Sequence, residues 1–336
     1  MSSKKTILVC PLNWGLGHAT RMIPIINSEI SKGNTVLIGS DGDALHLLRN
    51  HYPEITCIEL PNLSISYGNG IWATFLFLFS IPKILLWIHR DNKKLNEIIK
   101  EHHIDLVISD NRWGLWNKSV HSVFVTHQVM VKMPKAIRFL ERSIFKLQQW
   151  VIRHFDEIWI PDFEDKRNNL SGDLSHRFLP KKPTKYIGIL SQFTKTNDET
   201  VPKYDVAVIL SGPEPHRSIL EQKLLLQLST MTIQSVFIGG KMSNNTINHY
   251  PNISYIPFAN TEKLQEIFAQ SKHIICRSGY TSIMDLTKID RKAILIPTPS
   301  QTEQEYLAKH LSGKGQFVVL EQNAVEKLTE QFILQN

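Results

Sequence analysis

The chain has 336 residues, 42% hydrophobic and 21% charged, which excludes a disordered chain, a collagen and a simple coiled coil and suggests about two domains. Its 3 cysteines, Cys10, Cys57 and Cys276, are widely spaced, which argues against a disulfide framework or structural zinc and fits a reducing compartment. The formal net charge of +7 suits an anionic partner: nucleic acid, anionic lipid or a phosphorylated metabolite.

The N-terminal apolar run soon meets Pro11, Asn13 and Gly15, so it reads as a first strand and not as a signal peptide. Short β-branched runs predict further strands near residues 35–39, 55–60, 105–109, 122–126 and 157–160. In the second half they fall near 205–210, 235–238, 253–256, 273–276, 293–297 and 316–320. Helical periodicity lies between them, at 21–32, 93–101, 218–228, 261–270, 281–288 and 304–311. Such alternation means βαβ units and parallel sheets with both faces covered. The polar stretch after Tyr186 interrupts the pattern, and a new strand opens near Tyr204. This predicts domains at 1–190 and 204–336, joined by a linker at about 191–203. The fold class expected is α/β: two Rossmann-like doubly wound domains facing across a cleft, with ligands at the carboxyl ends of the strands.

Two apolar segments stand out. Residues 71–88 approach the length of a spanning helix, but Pro82 and Lys83 interrupt the run. They read as a buried or interfacial helix. Within 134–153, Arg138, Arg142 and Lys146 line one helix face, with Arg153 near its end. Ile137, Leu140, Ile144, Leu147 and Val151 form the opposite stripe. This suits an ordinary amphipathic helix or one lying on an anionic membrane surface.

The first strand leads into Asn13, Gly15, Gly17 and His18. Two glycines permit a tight turn that exposes N–H groups to a phosphate. Arg21 stands where the dinucleotide fingerprint has its third glycine, and Asp41 and Asp43 lie just beyond the second strand, so the nucleotide signal is incomplete. His18 suits a general base, or a brace for the turn. Asp110 ends the fourth strand and His127 follows the fifth, on the same sheet edge. Asp110 can orient His18, cap the next helix or pair with Arg112.

The second half opens with Ser211 and Gly212 before a helix that carries Arg217, either a phosphate loop or a Pro-stiffened turn. The richest stretch begins at Arg277, Ser278, Gly279, Tyr280, Thr281 and Ser282, where hydroxyls, amides and a helix start make an anion seat. Asp285 lies one turn on, suited to ribose hydroxyls, and Gln301, Glu303 and Gln304 suit sugar hydroxyls. Phe258 stands at a strand end.

In this order Arg277-Ser278-Gly279, Thr281-Ser282, Asp285, Pro297, Glu303-Gln304 and Ala308 resemble the donor-binding region of GT-B glycosyltransferases of family 28. That family includes the lipid-linked GlcNAc transferase of peptidoglycan synthesis and the diacylglycerol galactosyltransferases. Residues 13–21 and His127-Gln128 resemble its N-terminal glycine loop and a histidine-glutamine strand end. The resemblance implies metal-independent, inverting transfer of a hexose or N-acetylhexosamine from a UDP-linked sugar to a hydroxyl acceptor, glycan or lipid-linked. No cofactor is implied beyond the nucleotide sugar as co-substrate. It implies that Ser211, Gly212, Arg277, Ser278 and Gly279 hold the diphosphate, Asp285 the ribose, and Glu303 and Gln304 the sugar, with Phe258 packing by the base or in the core. It also implies that His18 with Asp110 deprotonates the acceptor, and it places the chain in the cytoplasm or peripherally on the cytoplasmic membrane face. A UDP-sugar epimerase and a non-catalytic sugar-nucleotide-binding protein share these features. A nucleic-acid partner is not expected, because no recognition motif accompanies the positive charge.

Overall fold

A computed structural model describes residues 4–63, 71–195, 201–240, 250–314 and 316–335. Packing divides the chain into two compact units, one ending at Ser191 and the other starting at Gln192.

The first unit runs β1 (Thr6–Pro11), α1 (Leu16–Ser31), β2 (Thr35–Ser40), α2 (Gly42–His51), β3 (Cys57–Glu59), α3 (Ile71–His102) and β4 (Leu106–Asp110). It continues with β5 (His121–Val125), α4 (Glu141–Ile152), β6 (Glu157–Ile160), α5 (Asp173–His176) and β7 (Thr184–Tyr186). Among the described residues its strands form one sheet in the order β3-β2-β1-β4-β5-β6-β7, parallel throughout. The order reverses between β1 and β4, the switch point at which doubly wound sheets place their ligands. There Pro11 pairs with Asp110, which sets the last residue of β4 beside the start of the loop to α1. Leu8 and Cys10 pack with Leu37, Leu95, Ile98 and Val107 on one side of the sheet.

The second unit runs β8 (Tyr204–Ile209), α6 (His216–Ser229), β9 (Ser235–Ile238), β10 (Ile253–Ile256), α7 (Thr261–Ala269), β11 (Ser271–Cys276) and α8 (Tyr280–Lys288). After these come β12 (Ala293–Leu295), α9 (Thr302–Leu311), β13 (Phe317–Val319) and α10 (Glu330–Gln335). Its described strands form a second parallel sheet, β10-β9-β8-β11-β12-β13. Alternation along β8 shows why the sheet is covered on both faces. Val206 and Val208 join Leu224, Leu228, Phe237 and Ile275, whereas Ala207 joins Val236, Ile238 and Ile267 on the other side.

Several elements differ from the sequence reading. The helix expected from Arg21 begins at Leu16, because Gly15, at φ 86°, turns the chain directly into it. α2 and the short β7 were not expected. The 71–88 run belongs to one 32-residue helix that passes through Pro82, and the side chains of 71–79 lie outside the described residues. Among the described residues no helix is long and apolar enough to cross a membrane. Residues 192–195, expected in the linker, belong to the second unit: Phe193 is buried edge-on to Phe268, with centroids 5.3 Å apart. Residues 196–200 of that linker lie outside the described residues.

Candidate active site

In the first unit the carboxyl ends of β1 and β4 converge on Asp110. His18 and Arg21 stand three residues apart on α1, hence on one face. His18 Nδ1 lies 2.9 Å from Asp110 Oδ2. Arg21 donates from Nε to the same oxygen at 2.8 Å and from Nη2 to Oδ1, a two-pronged grip. Asn111 Nδ2 also donates to Oδ1, at 3.2 Å. Asp110 is fully buried, and Arg21 nearly so. Burial opposes ionisation of Asp110, but Arg21 and then His18 outweigh it and hold the carboxyl down at about 2. His18 moves the other way for an imidazole beside a carboxylate. Burial and the Arg21 charge push its pKa below the ordinary 6.5, against the pull of Asp110. Its side chain is 17% exposed, so a neutral ring reaches the surface at the sheet edge. A neutral imidazole backed by a carboxylate is suited to take a proton from a hydroxyl.

Asp110 therefore pairs with His18 and not with Arg112. The left-handed Asn111, at φ 56°, turns the chain directly after β4. The guanidinium of Arg112 is buried beneath, where it donates to both oxygens of Asp91, at 3.1 and 2.9 Å, and to Asp41 Oδ1 at 2.5 Å. It also donates to the Pro61 carbonyl at 2.8 Å and lies 5.2 Å from the Trp87 ring centroid. Burial raises the pKa of Asp91 against the pull of Arg112, with a smaller push from the charge of Asp41.

This hub corrects the role of Asn13. Asp41 precedes α2 but its side chain makes no cap. Asn13 substitutes, its Oδ1 accepting from Ala44 N at 3.2 Å while its Nδ2 donates to Asp41 Oδ2 at 3.3 Å. Asn13 thus braces α2 rather than facing a phosphate. A side chain at Gly42, at φ 51°, would collide with that amide. His127 is likewise turned inward, buried with Nδ1 3.2 Å from Arg21 Nη1. Gly15 and Gly17 flank the start of α1, and no side chain caps that helix.

The second unit gathers its polar residues where β8, β11 and β12 end. Arg277 is fully buried with no carboxylate partner among the described residues. It donates from Nη1 to the Ile296 and Pro297 carbonyls at 3.3 and 3.2 Å and from Nη2 to the His216 carbonyl at 2.8 Å. Burial alone lowers its pKa to about 10. Among the described residues its Nε has no partner, nor have the buried Oγ1 of Thr298 and both ring nitrogens of His216. Gly212 stands beside them at φ 102°, and a Cβ there would lie 3.6 Å from Thr298 Oγ1 and 4.0 Å from Arg277 Nε. Unpartnered buried donors around a glycine at the start of α6 are what an anion seat requires.

Three expected contacts are corrected here. Arg217 is neutralised by Glu214 at 2.8 Å and Glu221 at 3.1 Å and donates to the Gly239 carbonyl, so it is not a free phosphate cation. Ser278 is buried and donates to the Gln304 carbonyl at 2.9 Å, tying α8 to α9. Gln304 Oε1 accepts from Thr298 N at 2.9 Å, which shapes the loop before α9. Other expected residues keep their places. Gly279 precedes α8 without a side-chain cap, followed by the buried Tyr280 and the half-buried Thr281 and Ser282. Asp285 is buried within α8, Phe258 is exposed beyond β10, Ser211 is exposed, and Gln301 and Glu303 open α9. The sequence reading missed Arg21, Thr298 and His216. Arg21 had a signal, its place one turn after His18.

Residues 216–333 match the glycosyltransferase family 28 C-terminal domain. The UDP-N-acetylglucosamine--N-acetylmuramyl-(pentapeptide) pyrophosphoryl-undecaprenol N-acetylglucosamine transferase of Thermoanaerobacter sp. (strain X514) is 33% identical over 92 residues, 26% of this chain and 25% of that protein. The enzyme of that name from Wolbachia pipientis subsp. Culex pipiens is 35% identical over 68 residues, 20% of each. The matches thus span a quarter or less of these relatives. Among solved structures, spinosyn forosaminyltransferase SpnP superposes with a TM-score of 0.65 at 13% identity, covering 99% of this chain and 91% of that one. MurG of Acinetobacter baumannii superposes at 0.57, also at 13% identity, covering 99% and 89%. The chain has the α/β fold of the GT-B glycosyltransferases, and its second unit carries the glycosyltransferase family 28 C-terminal domain.

Proposed function

We propose that the chain is a glycosyltransferase that moves a hexose or N-acetylhexosamine from a UDP-linked sugar to a hydroxyl acceptor. The observation that carries this reading is the neutral, surface-reaching His18 on the buried Asp110, 2.9 Å away. His18 Nε2 takes the acceptor proton as the hydroxyl oxygen attacks the anomeric carbon and the diphosphate departs. Attack from the face opposite the leaving group inverts the anomeric centre. The second unit holds the donor. N–H groups of Gly212 and of the α8 start, with Arg277 Nε and Thr298 Oγ1, stabilise the charge that develops on the leaving diphosphate. Asp285 receives the ribose, Phe258 flanks the base, and Gln301 and Glu303 face the sugar. The nucleotide sugar is co-substrate, and the reaction runs without a metal or bound cofactor.

The acceptor is lipid-linked and the protein works at an anionic membrane surface. Two observations support this. The name of the similar Thermoanaerobacter enzyme includes a pyrophosphoryl-undecaprenol acceptor. On and just before α4, Phe139, Leu147 and Trp150 are 77%, 54% and 53% exposed, among the exposed Arg138, Arg142, Lys146 and Arg153.

The test is UDP release from a panel of UDP-sugars, with and without hydroxyl acceptors, lipid-linked ones included. Release should require an acceptor and fall by about 10²–10⁴-fold in His18→Ala, which retains UDP binding. Sugar-isomer exchange without acceptor would replace this reading with an epimerase.

A further inference from the structure

We propose that Arg21 is a positioning residue for the His18 base, one that takes up the charge of Asp110 and bears on the same ring nitrogen that Asp110 orients. The proposal rests on the reading of His18 as the base. In a simple carboxylate–imidazole pair the carboxylate charge is directed at the ring and strengthens it as a base. Here Asp110 gives one oxygen to Arg21 Nη2 and Asn111, and shares the other between Arg21 Nε and His18. Arg21 Nη2 also lies 2.7 Å from His18 Nδ1.

That nitrogen has one role at a time. With hydrogen on Nδ1 it donates to Asp110, and Nε2 keeps the lone pair that accepts a proton. Without hydrogen it accepts from Arg21, and Nε2 carries the hydrogen and is no base. Arg21 therefore acts on both the tautomer and the protonation of His18. The charged and titratable groups facing this ring are Arg21 from α1, Asp110 from β4 and His127 after β5, the last with its Nδ1 3.2 Å from Arg21 Nη1. Arg21 and Asp110 act on the ring in opposite directions, Arg21 disfavouring the imidazolium and Asp110 favouring it. The downward shift of His18, caused by burial and then by Arg21, agrees with this geometry.

The experiment is a ¹⁵N-imidazole NMR titration of the full chain, with His18 assigned through His18→Gln, run beside the pH profile of kcat/KM. The wild-type ring should titrate below about 6.5. Arg21→Met should raise its midpoint by about one pH unit or more, since the carboxylate then faces the ring alone, and shift its tautomer toward Nδ1–H. Arg21→Lys, which keeps the charge but loses the fork, should change the tautomer and move the midpoint less. The acidic limb of kcat/KM should follow the NMR midpoint, which a merely structural role would not move. A folded Arg21→Met with unchanged midpoint and tautomer overturns the proposal. If Arg21→Met does not fold, an unchanged ring in Arg21→Lys overturns it instead. A shifted NMR midpoint with an unmoved kinetic limb leaves Arg21 acting on His18 and overturns the assignment of His18 as base.

Discussion

At Asp110 three donor groups meet one carboxylate in a site sealed from water, and the pH response follows from that. Its folded pKa of about 2 is below the unfolded value of 3.8, so the stability it contributes is fully present above 3.8 and is lost as pH falls toward 2. The shift corresponds to about 2 kcal/mol. Acid unfolding of Asp110→Asn should therefore lose part of the steepness shown by the wild type between about pH 4 and 2, measured by circular dichroism. At neutral pH, His18→Ala should lower kcat by about 10²–10⁴-fold while UDP affinity is retained. The same unit contains a second cation, Arg112, whose removal has a different signature. Arg112→Met leaves Asp41 and Asp91 buried without their partner, which should cost about 3–5 kcal/mol in a denaturant titration. Sequence placed Arg112 next to Asp110 and suggested a pair. The left-handed turn at Asn111, which sends the two side chains to different clusters, has no unambiguous signature in the letters.

Among the elements, the central strands such as β1, β2, β4, β5, β8 and β9 were the most legible, because each carries an apolar, mostly β-branched run that is largely buried. Elements that went unread are short or locally ambiguous: β7 has 3 residues, and α2 takes its cap from Asn13, 31 positions before Ala44. α4 was legible as amphipathic, but which of its faces packs was not. Leu147 was assigned to the apolar stripe and is exposed, whereas Ile152 and Glu141 are the buried positions. Glu141 is buried because Arg177 reaches it at 2.6 Å, a partner from a distant loop. If the exposed Phe139, Leu147 and Trp150 meet lipid, replacing all three with Ser should abolish co-sedimentation with vesicles containing anionic lipid. UDP binding and Tm should stay unchanged. In the second unit, Gly212→Val should weaken UDP binding, because the side chain fills the space beside Thr298 and Arg277 and strains a backbone at φ 102°.

For the molecule as a whole, the division at Ser191 separates two cores, each with its own parallel sheet. A ligand that binds only the native second unit at 100 times its Kd should stabilise that unit by about 2.7 kcal/mol. A UDP-dependent shift in melting that persists in EDTA and in His18→Ala, and is lost in Gly212→Val, would place the donor in that unit.

What the sequence determined by itself was the alternation of strands and helices, the restart of the pattern in the second half, and the chemistry gathered at strand ends. Those features follow from the period of apolar residues and from glycines at turns, which are local properties. The tertiary structure alone decided which polar groups are already spent. Arg217, Ser278, Asn13 and Gln304 are committed to partners inside the fold, while Arg277 Nε, Thr298 Oγ1 and the His216 ring are buried without any among the described residues. It also decided that Arg21, not Arg112, grips Asp110. Such assignments depend on side chains brought together from positions as much as 106 residues apart, and their hydrogen bonds follow from packing, not from spacing along the chain.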